Sequence, residues 1–236
     1  MKCIVTAGPT YEELDEVRRL TNFSTGTVGT ELASFLAARG HEVVLLRGHY
    51  STCPAPPPAL AEGTHIFTTT ADLCQRLRSL GQGRADAVFH AAAVSDFAFG
   101  KIWRRSKDGA LEEVRSAKIP TGEETTLAEL VPTPKIIGEL RGWFPNAFLA
   151  GWKYELEGDC AQALARGARQ LEANRTDVCV VNGRAYGDGY GLVTGPGKCD
   201  HLLDKETLFI RLLALARIKV QSSAPGAGPN GREASQ

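Results

Sequence analysis

The sequence of 236 residues lacks a long apolar run, an excess of charge of either sign and any closely spaced pair of cysteines. No stretch approaches the roughly 18 consecutive apolar residues that span a bilayer, so we expect no membrane association. Lys and Arg total 27 and Asp and Glu also total 27, which leaves no bulk field to attract nucleic acid. Any anion-binding site must therefore be local.

The six cysteines are scattered without CxxC spacing, which argues against a zinc site and against a disulfide framework. Cys3 and Cys179 lie in apolar, strand-like runs, where a thiol behaves as a small hydrophobe. The first eight residues read as a strand and a turn rather than a signal peptide. Together these features lead us to expect reduced thiols in a cytoplasmic protein.

Apolar strand-like runs alternate with amphipathic helices along most of the chain. We expect strands at KCIVTAG, HEVVLLRG, THIFTTT, DAVFHAAAV, NAFLAGW and DVCVVN, and helices over 29–39, 71–80, 159–174 and 204–218. This alternation implies βαβ crossovers and predicts an α/β fold with a Rossmann-like, doubly wound, mostly parallel sheet. Ligands on such sheets bind beyond the carboxyl ends of the strands. The polar strand ends in this chain are 8–10, 94–96, 152–155 and 182–184.

Residues 97–125 interrupt this alternation. Their periodicity is weak and Asp108-Gly109 is a hairpin signal, so we predict a protruding two-stranded arm. Such an arm is marginal alone and would gain stability by packing against a second subunit. We assign 1–218 to one domain and 219–236 to a disordered tail, and we regard 97–125 and the glycine-rich 183–200 as candidates to close over a ligand.

The stretch VRRLTNFSTGTVG, residues 17–29, stands directly before the first predicted helix. Ser24, Gly26 and Gly29 supply small residues and a flexible backbone where unpaired N–H groups and the helix dipole attract phosphate. The spacing is neither G-x-G-x-x-G nor a P-loop, so a tight turn with an N-cap is a competing interpretation.

Two polar side chains in this stretch, Arg18 and Asn22, are four residues apart, so a helical turn would project both to one side. The guanidinium can bind a carboxylate or phosphate, and the amide can orient a carboxylate. Farther along, Asp96 ends an apolar strand and could bind a ribose hydroxyl or Mg²⁺, or simply cap a turn. Lys118 could fold back as a phosphate contact or remain solvated. His90, inside an apolar strand, is expected to be structural.

These blocks, in this order, resemble the phosphopantothenoylcysteine synthetase family. The family's opening pattern, T-A-G-x-T-x-E-x-I-D-x-V-R-x-I-T-N-x-S-S-G-x-x-G, is matched over residues 6–29, with Leu14 and Leu20 at the two isoleucine positions and Thr25 at the second serine position. Three further blocks, AAAVxD, a K-I element before TPxII, and DxIVxN, are matched at 91–96, at 118–119 with 132–137, and at 177–182. The resemblance covers residues 1 to about 218 and implies a Rossmann-like homodimer whose arm reaches the partner subunit.

The resemblance implies a ligase of coenzyme A biosynthesis. The carboxylate of 4′-phosphopantothenate attacks the α-phosphate of a nucleoside triphosphate, releasing pyrophosphate, and the amine of L-cysteine then displaces the nucleotide. Asn22 and Arg18, with Ala93, would hold the carboxylate and the acyl intermediate, and Lys118 would be a third catalytic group. The nucleotide-binding residues implied are Gly8, Ser24, Gly26, Gly29, Ala92, Asp96, Lys118, Trp152, Lys153 and Asn182.

The same resemblance predicts the cofactors. Adenylation or cytidylylation of a carboxylate requires the protein to position the reactants and neutralise charge, and it does not require a strong nucleophile. We expect Mg²⁺ held mainly by the nucleotide and water, with no metal site made by the protein. Many bacterial members are fused to a flavin-dependent decarboxylase; this chain has no room for that domain, so we expect no FMN.

The chain departs from the bacterial pattern in three places. Pro120 replaces the second lysine of K-x-K, WKYE at 152–155 replaces F-A-A-E, and Gln170 and Asn174 replace two lysines. The Lys118-Ile-x-Thr form and the aromatic-Lys-x-Glu element at 152–155 resemble eukaryotic members, which favour ATP over CTP. Lys153 is expected to supply one of the missing positive charges.

Two other functions compete with the ligase. A nicotinamide-dependent reductase would require a G-x-G-x-x-G turn after the first strand and usually a Tyr-x-x-x-Lys pair, and the sequence has neither feature. A non-catalytic nucleotide-binding protein stays open because fold does not fix function. The Arg18 and Asn22 pair argues against it, since a nucleotide sensor needs no carboxylate-binding groups.

Overall fold

The computed structural model describes residues 1–122 and 124–222. The helices are α1 (Thr27–Ala37), α2 (Thr70–Leu80), α3 (Ile136–Trp143), α4 (Cys160–Asn174) and α5 (Lys205–Ser222), with one 3-10 turn at Pro58–Leu60. The strands are β1 (Lys2–Ala7), β2 (Tyr11–Glu13), β3 (Arg19–Thr21), β4 (Glu42–Gly48), β5 (Thr64–Phe67), β6 (Ala87–His90), β7 (Phe97–Arg105), β8 (Leu111–Glu113), β9 (Thr125–Pro132), β10 (Phe148–Tyr154), β11 (Val178–Asn182), β12 (Tyr190–Gly195) and β13 (Lys198–Leu202).

Eight strands form the main sheet in the order β13-β12-β11-β10-β6-β1-β4-β5. The six strands from β11 to β5 are parallel, whereas β12 and β13 extend the sheet antiparallel. In chain order the parallel six read 3-2-1-4-5-6 from β5 to β11, which is the doubly wound arrangement. The predicted mostly parallel α/β sheet is therefore confirmed, and its switch in strand order lies between β1 and β6.

Helices cover both faces of the sheet, and alternate strand residues supply the two cores. On one face Val5 packs with Leu32 of α1 and Leu212 of α5. On the other face Ile4 packs with Leu77 of α2 and Leu140 of α3. The α4 helix lies on this second face beyond α3, where it packs against Cys179 and Val181 while Val178 and Val180 point to the α1 side. The carboxyl ends of the strands thus open between α1 and the α3–α4 pair.

The buried thiols fit the structural role expected from the sequence. Cys3 and Cys179 are fully buried, and burial raises the pKa of both thiols to about 12. All six cysteines are free. Neither buried thiol is a nucleophile at neutral pH, because both remain protonated.

The arm has three strands rather than two. β7 pairs with β8 through the predicted turn at Asp108-Gly109, and it also pairs with β9 along its length. The arm therefore runs to Pro132, seven residues beyond the predicted boundary. The β9 partner was missed because it pairs with β7 across an intervening segment, which local periodicity does not report.

Other elements also differ from the sequence-based prediction. The β2–β3 hairpin and α3 were not predicted, and residues 190–202 form the β12–β13 hairpin. Closure of 183–200 over a ligand stays a prediction. The α5 helix continues to Ser222, so 219–222 do not belong to the predicted disordered tail, and 223–236 lie outside the described residues. None of the helices that the structure describes combines the length and apolar character needed to cross a membrane.

Candidate active site

A cavity of about 990 Å³ lies at the carboxyl ends of β6, β10 and β11, between α1 and the α3–α4 pair. Its lining comes from residues 22–29 before and within α1, 90–96 from the end of β6 onward, 134–137 at the start of α3, 152–154 and 156 at the end of β10, 182 at the end of β11, and the second half of α4. Three of the four polar strand ends picked from the sequence line it. The cavity occupies the place where ligands bind on doubly wound sheets.

The start of α1 forms one wall of this cavity. Gly26 is the N-cap residue and accepts the first helical hydrogen bond from Thr30. The N-cap glycine has no side chain to cap this helix end, and the first turn carries no acidic residue. Thr25 Oγ1 accepts from Thr27 N–H at 3.3 Å. The other N–H groups of the first turn and the positive end of the helix dipole border the cavity, an arrangement that binds anions.

Glycine is required at three positions that build this wall. Gly26 has a φ of 77°, and a Cβ there would approach Ser51 Oγ to 2.7 Å and the Cα of Gly8 to 3.2 Å. A Cβ on Gly29 would lie 2.6 Å from Ala7 Cβ and 2.8 Å from the Thr6 carbonyl oxygen, so Gly29 lets α1 approach β1. Gly8, predicted to bind nucleotide, does not line the cavity but supports the loop from behind.

Asn22 lies at the mouth of the cavity, where its Nδ2 donates to the carbonyl oxygen of Ala93 at 3.2 Å. That carbonyl also accepts from the backbone N–H of Thr10, and Ala93 N–H donates to the carbonyl of Gly8. The amide of Asn22 and the Ala91–Asp96 segment are therefore held in one frame that β1 supports. The structure brings Asn22, Ala92 and Ala93 together, as the sequence predicted.

The rim on the α3 side carries an ion pair between Asp96 and Lys135. Both side chains are exposed, and both residues line the cavity. Lys135 is also the residue that precedes α3, and Ile136 and Ile137 continue the lining. The sequence identified Asp96 but missed Lys135 as a site residue, although it lies within the TPxII-like block.

The floor at the ends of β10 and β11 carries Trp152, Lys153 and Asn182. Lys153 Nζ lies 3.2 Å from Glu155 Oε1, and Arg166 of α4 binds the other oxygen of the same carboxylate. Burial would raise the pKa of Glu155, but the two cations outweigh it and lower that pKa. Trp152 Nε1 is buried and has no hydrogen-bond partner within the described residues.

Arg18 does not form a helical turn with Asn22, as the four-residue spacing had predicted, because the intervening Arg19–Thr21 is strand β3. Its guanidinium binds the Asp15 carboxylate at 2.6 Å and donates to the Ile119 carbonyl at 2.6 Å. Asp15 in turn accepts from Ile119 N–H at 3.0 Å. Burial would raise the pKa of Asp15, but hydrogen bonds from Ile119, Arg18 and Val17 lower it well below its usual range.

This cluster joins the β2–β3 hairpin to the segment that carries Lys118. Lys118 is exposed, and neither it nor Arg18 lines the cavity. The structure therefore brings Asn22 into the cavity and leaves Arg18 and Lys118 outside its lining. Their contact with substrate stays a prediction.

The α4 wall explains two of the sequence departures and adds a residue that sequence reasoning missed. Gln170 donates to the Trp152 carbonyl at 3.0 Å, and Asn174 donates to the Gln170 carbonyl at 2.7 Å. Both side chains are thus used within the protein. Arg169, which also lines the cavity, is exposed. Its helical position next to Gln170 was the signal that could have identified it.

His90 lies at the end of β6 in the cavity lining but is almost fully buried. Burial lowers its pKa from 6.5 to about 4, and its Nδ1 lies 2.9 Å from Thr6 Oγ1. The imidazole is therefore neutral near pH 7 and bonded to a buried hydroxyl. This geometry supports the structural role expected from the sequence.

The chain matches one protein family and is similar to curated proteins of coenzyme A biosynthesis. A family profile described as the DNA/pantothenate metabolism flavoprotein C-terminal domain matches residues 1–194. The chain is 34% identical over 182 residues to the coenzyme A biosynthesis bifunctional protein CoaBC of Thermococcus kodakarensis, covering 77% of this chain and 41% of that protein. It is 31% identical over 195 residues to the protein of the same name from Bacillus subtilis, covering 81% and 42%. The chain thus spans less than half the length of these curated relatives.

Solved structures show the same fold. The DNA/pantothenate metabolism flavoprotein from Streptococcus pneumoniae superposes with a TM-score of 0.78 at 25% identity, covering 92% of this chain and 99% of that one. A Cab2 mutant in complex with phosphopantothenate-cysteine superposes with a TM-score of 0.72 at 22% identity, covering 94% and 88%.

Proposed function

Because this chain belongs to the DNA/pantothenate metabolism flavoprotein C-terminal domain family, we propose that it joins 4′-phosphopantothenate to L-cysteine in coenzyme A biosynthesis. The observation that carries the proposal is the cavity itself, which combines the glycine-capped start of α1 with the amide of Asn22 beside Ala93. An anion-binding helix end next to a carboxylate-orienting amide suits a reaction between a carboxylate and a nucleotide phosphate. The CoaBC relatives and the Cab2 complex support the same substrates.

The reaction has two steps. A carboxylate oxygen of 4′-phosphopantothenate attacks the α-phosphorus, the bond from that phosphorus to the α–β bridging oxygen breaks, and pyrophosphate leaves with that oxygen. The free amine of cysteine then attacks the acyl carbon. The bond from this carbon to the oxygen shared with the α-phosphate breaks, the nucleoside monophosphate leaves with that oxygen, and the amine proton passes to solvent. Both steps depend on placing the reactants and neutralising phosphate charge, which needs no protein nucleophile.

Residue roles follow from position. Asn22, beside Ala93, would orient the reacting carboxylate and the acyl intermediate. The loop Ser24–Gly29 would bind phosphate, and Ala92, Asp96, Trp152, Lys153 and Asn182 would contact the rest of the nucleotide. Arg18 holds the segment bearing Lys118 through Ile119. We propose that this segment moves Lys118 to the cavity when substrate binds.

We propose ATP rather than CTP as the co-substrate, with Mg²⁺ bound to its phosphates. Along residues 1–122 and 124–222, no three His, Cys, Asp or Glu side chains cluster closely enough to hold a metal. Asp96, already paired with Lys135, is the carboxylate that lines the cavity. This chemistry fits an ion carried in by the nucleotide and its waters.

We also propose a homodimer built on the arm. Strand β9 is exposed along its whole length, and Phe97, Leu111 and Leu130 present apolar side chains to solvent on the arm sheet. A second copy of the arm would cover these side chains, and a small antiparallel sheet gains stability from such packing.

The proposal predicts that the purified chain makes phosphopantothenoylcysteine from 4′-phosphopantothenate, L-cysteine, Mg²⁺ and ATP. Mass spectrometry of the product, with ATP and CTP compared at equal concentration, measures both the activity and the nucleotide preference. We expect a higher kcat/KM with ATP. Absence of product with both nucleotides, from a protein that still binds ATP, would instead identify a non-catalytic nucleotide-binding protein.

A further inference from the structure

The cationic side chains around the cavity differ in whether a carboxylate already neutralises them. Lys135 is paired with Asp96, and Lys153 shares Glu155 with Arg166. Arg169 lines the same cavity, yet over the residues the structure describes its side chain makes neither an ion pair nor a hydrogen bond. Its guanidinium is therefore the uncompensated positive charge of this wall.

The α4 helix holds Arg169 at the cavity, and the two polar side chains that follow it on this helix are already hydrogen-bonded within the protein. Gln170 is bonded to the Trp152 carbonyl and Asn174 to the Gln170 carbonyl. Gly167, on the buried side of the helix, packs against Val181, where a Cβ would approach to 2.3 Å. This close contact holds α4 against the sheet beside the strand ends. Arg169, two residues after Gly167, then lines the cavity.

Arg169 stands across the cavity from the start of α1. The α1 helix packs on one face of the sheet and α4 on the other, and both border the cavity at the strand ends. The site therefore has two separate elements that attract anions, a helix N-terminus and a guanidinium. Two anion-binding elements on different walls suit a reaction in which two substrates carry phosphate groups.

We propose that Arg169 binds a phosphate group of one of these substrates, either the 4′-phosphate of phosphopantothenate or a phosphate of the nucleotide. This inference rests on the proposed function. A guanidinium binds phosphate through two parallel N–H···O bonds, and an arginine free of carboxylate partners offers all five donors without first breaking an ion pair.

The test measures how strongly the protein prefers phosphorylated over unphosphorylated ligands. Isothermal titration calorimetry compares 4′-phosphopantothenate with pantothenate, and ATP with adenosine, in the wild type and in Arg169→Gln. We expect the variant to lose about 10- to 100-fold of this preference in one of the two pairs, as expected for a charge-assisted hydrogen bond. The affected pair identifies which phosphate Arg169 binds.

Two further variants separate a specific contact from a general charge effect. Arg169→Lys keeps the charge but loses the planar fork, so its loss should be intermediate. Lys198→Gln removes an exposed cation of β13 that lies outside the cavity lining, and it should leave both preferences unchanged. Unchanged preferences in Arg169→Gln would overturn the proposal, as would equal losses in Arg169→Gln and Lys198→Gln. The calorimetry requires no turnover, so a wild type that binds these ligands but makes no product would refute the ligase and still test Arg169.

Discussion

Replacing Asn22 by Asp is expected to slow formation of phosphopantothenoylcysteine by about 10²–10³-fold, the usual cost of removing a donor that stabilises developing negative charge. The substitution preserves shape but converts a donor into an acceptor. The Ala93 carbonyl, now 3.2 Å from Asn22 Nδ2, would lose its side-chain donor. A second negative charge would also stand beside the substrate carboxylate and repel it.

The measurement is kcat and KM for 4′-phosphopantothenate, with Asn146→Asp as the matched control. Asn146 is exposed, precedes β10 and lies outside the cavity lining, so it undergoes the same chemical change away from the site. We expect the control to retain wild-type kinetics. Comparable losses in both variants would show that added charge alone, and not the contact at Ala93, slows the reaction.

Replacing Arg141 by Met is expected to lower the free energy of unfolding by about 2 kcal/mol, the scale for leaving buried acceptors without their donor. The Arg141 side chain is only 15% exposed and lies 2.8 Å from Asp177 Oδ2. It also donates to the carbonyls of Arg175 at 3.0 Å and Ala147 at 2.8 Å. Methionine fills similar space but leaves the two carbonyls without this donor, which costs part of their desolvation penalty. Asp177 keeps the Leu149 N–H at 2.8 Å and Lys219 Nζ at 3.1 Å.

Urea unfolding measures this loss, with Arg76→Met as the control. Arg76 pairs with Asp72 one turn away on α2 at 2.8 Å, but its side chain is 39% exposed, so we expect a cost below about 1 kcal/mol. Equal losses in the two variants would contradict the buried network described for Arg141.

The parts of the site that could be predicted from the sequence are those set by neighbouring residues. The loop before α1 was identifiable because small residues and two glycines stand directly before and within a predicted helix start. Asp96 and Asn182 were identifiable because each follows an apolar strand, and parallel strands end at the same edge of a sheet.

The parts that were missed depend on contacts between distant segments. The third arm strand exists only through pairing with β7, and the β12–β13 hairpin adds to the sheet through β11. Arg18 illustrates the same limit. Its spacing from Asn22 suggested a shared helical face, but hydrogen bonds to Asp15 and to Ile119, a hundred residues away in sequence, direct it elsewhere.

If this cavity activates a carboxylate as an acyl nucleotide, the protein should release pyrophosphate before cysteine is present. Wild-type protein, at a concentration well above the detection limit for pyrophosphate, is mixed with 4′-phosphopantothenate, ATP and Mg²⁺. Pyrophosphate is then measured against time. We expect a rapid burst that approaches one pyrophosphate per site, with the acyl adenylate detected by mass spectrometry. Release should become continuous once cysteine is added. Release that proceeds equally without 4′-phosphopantothenate, or that begins only with cysteine, would contradict it.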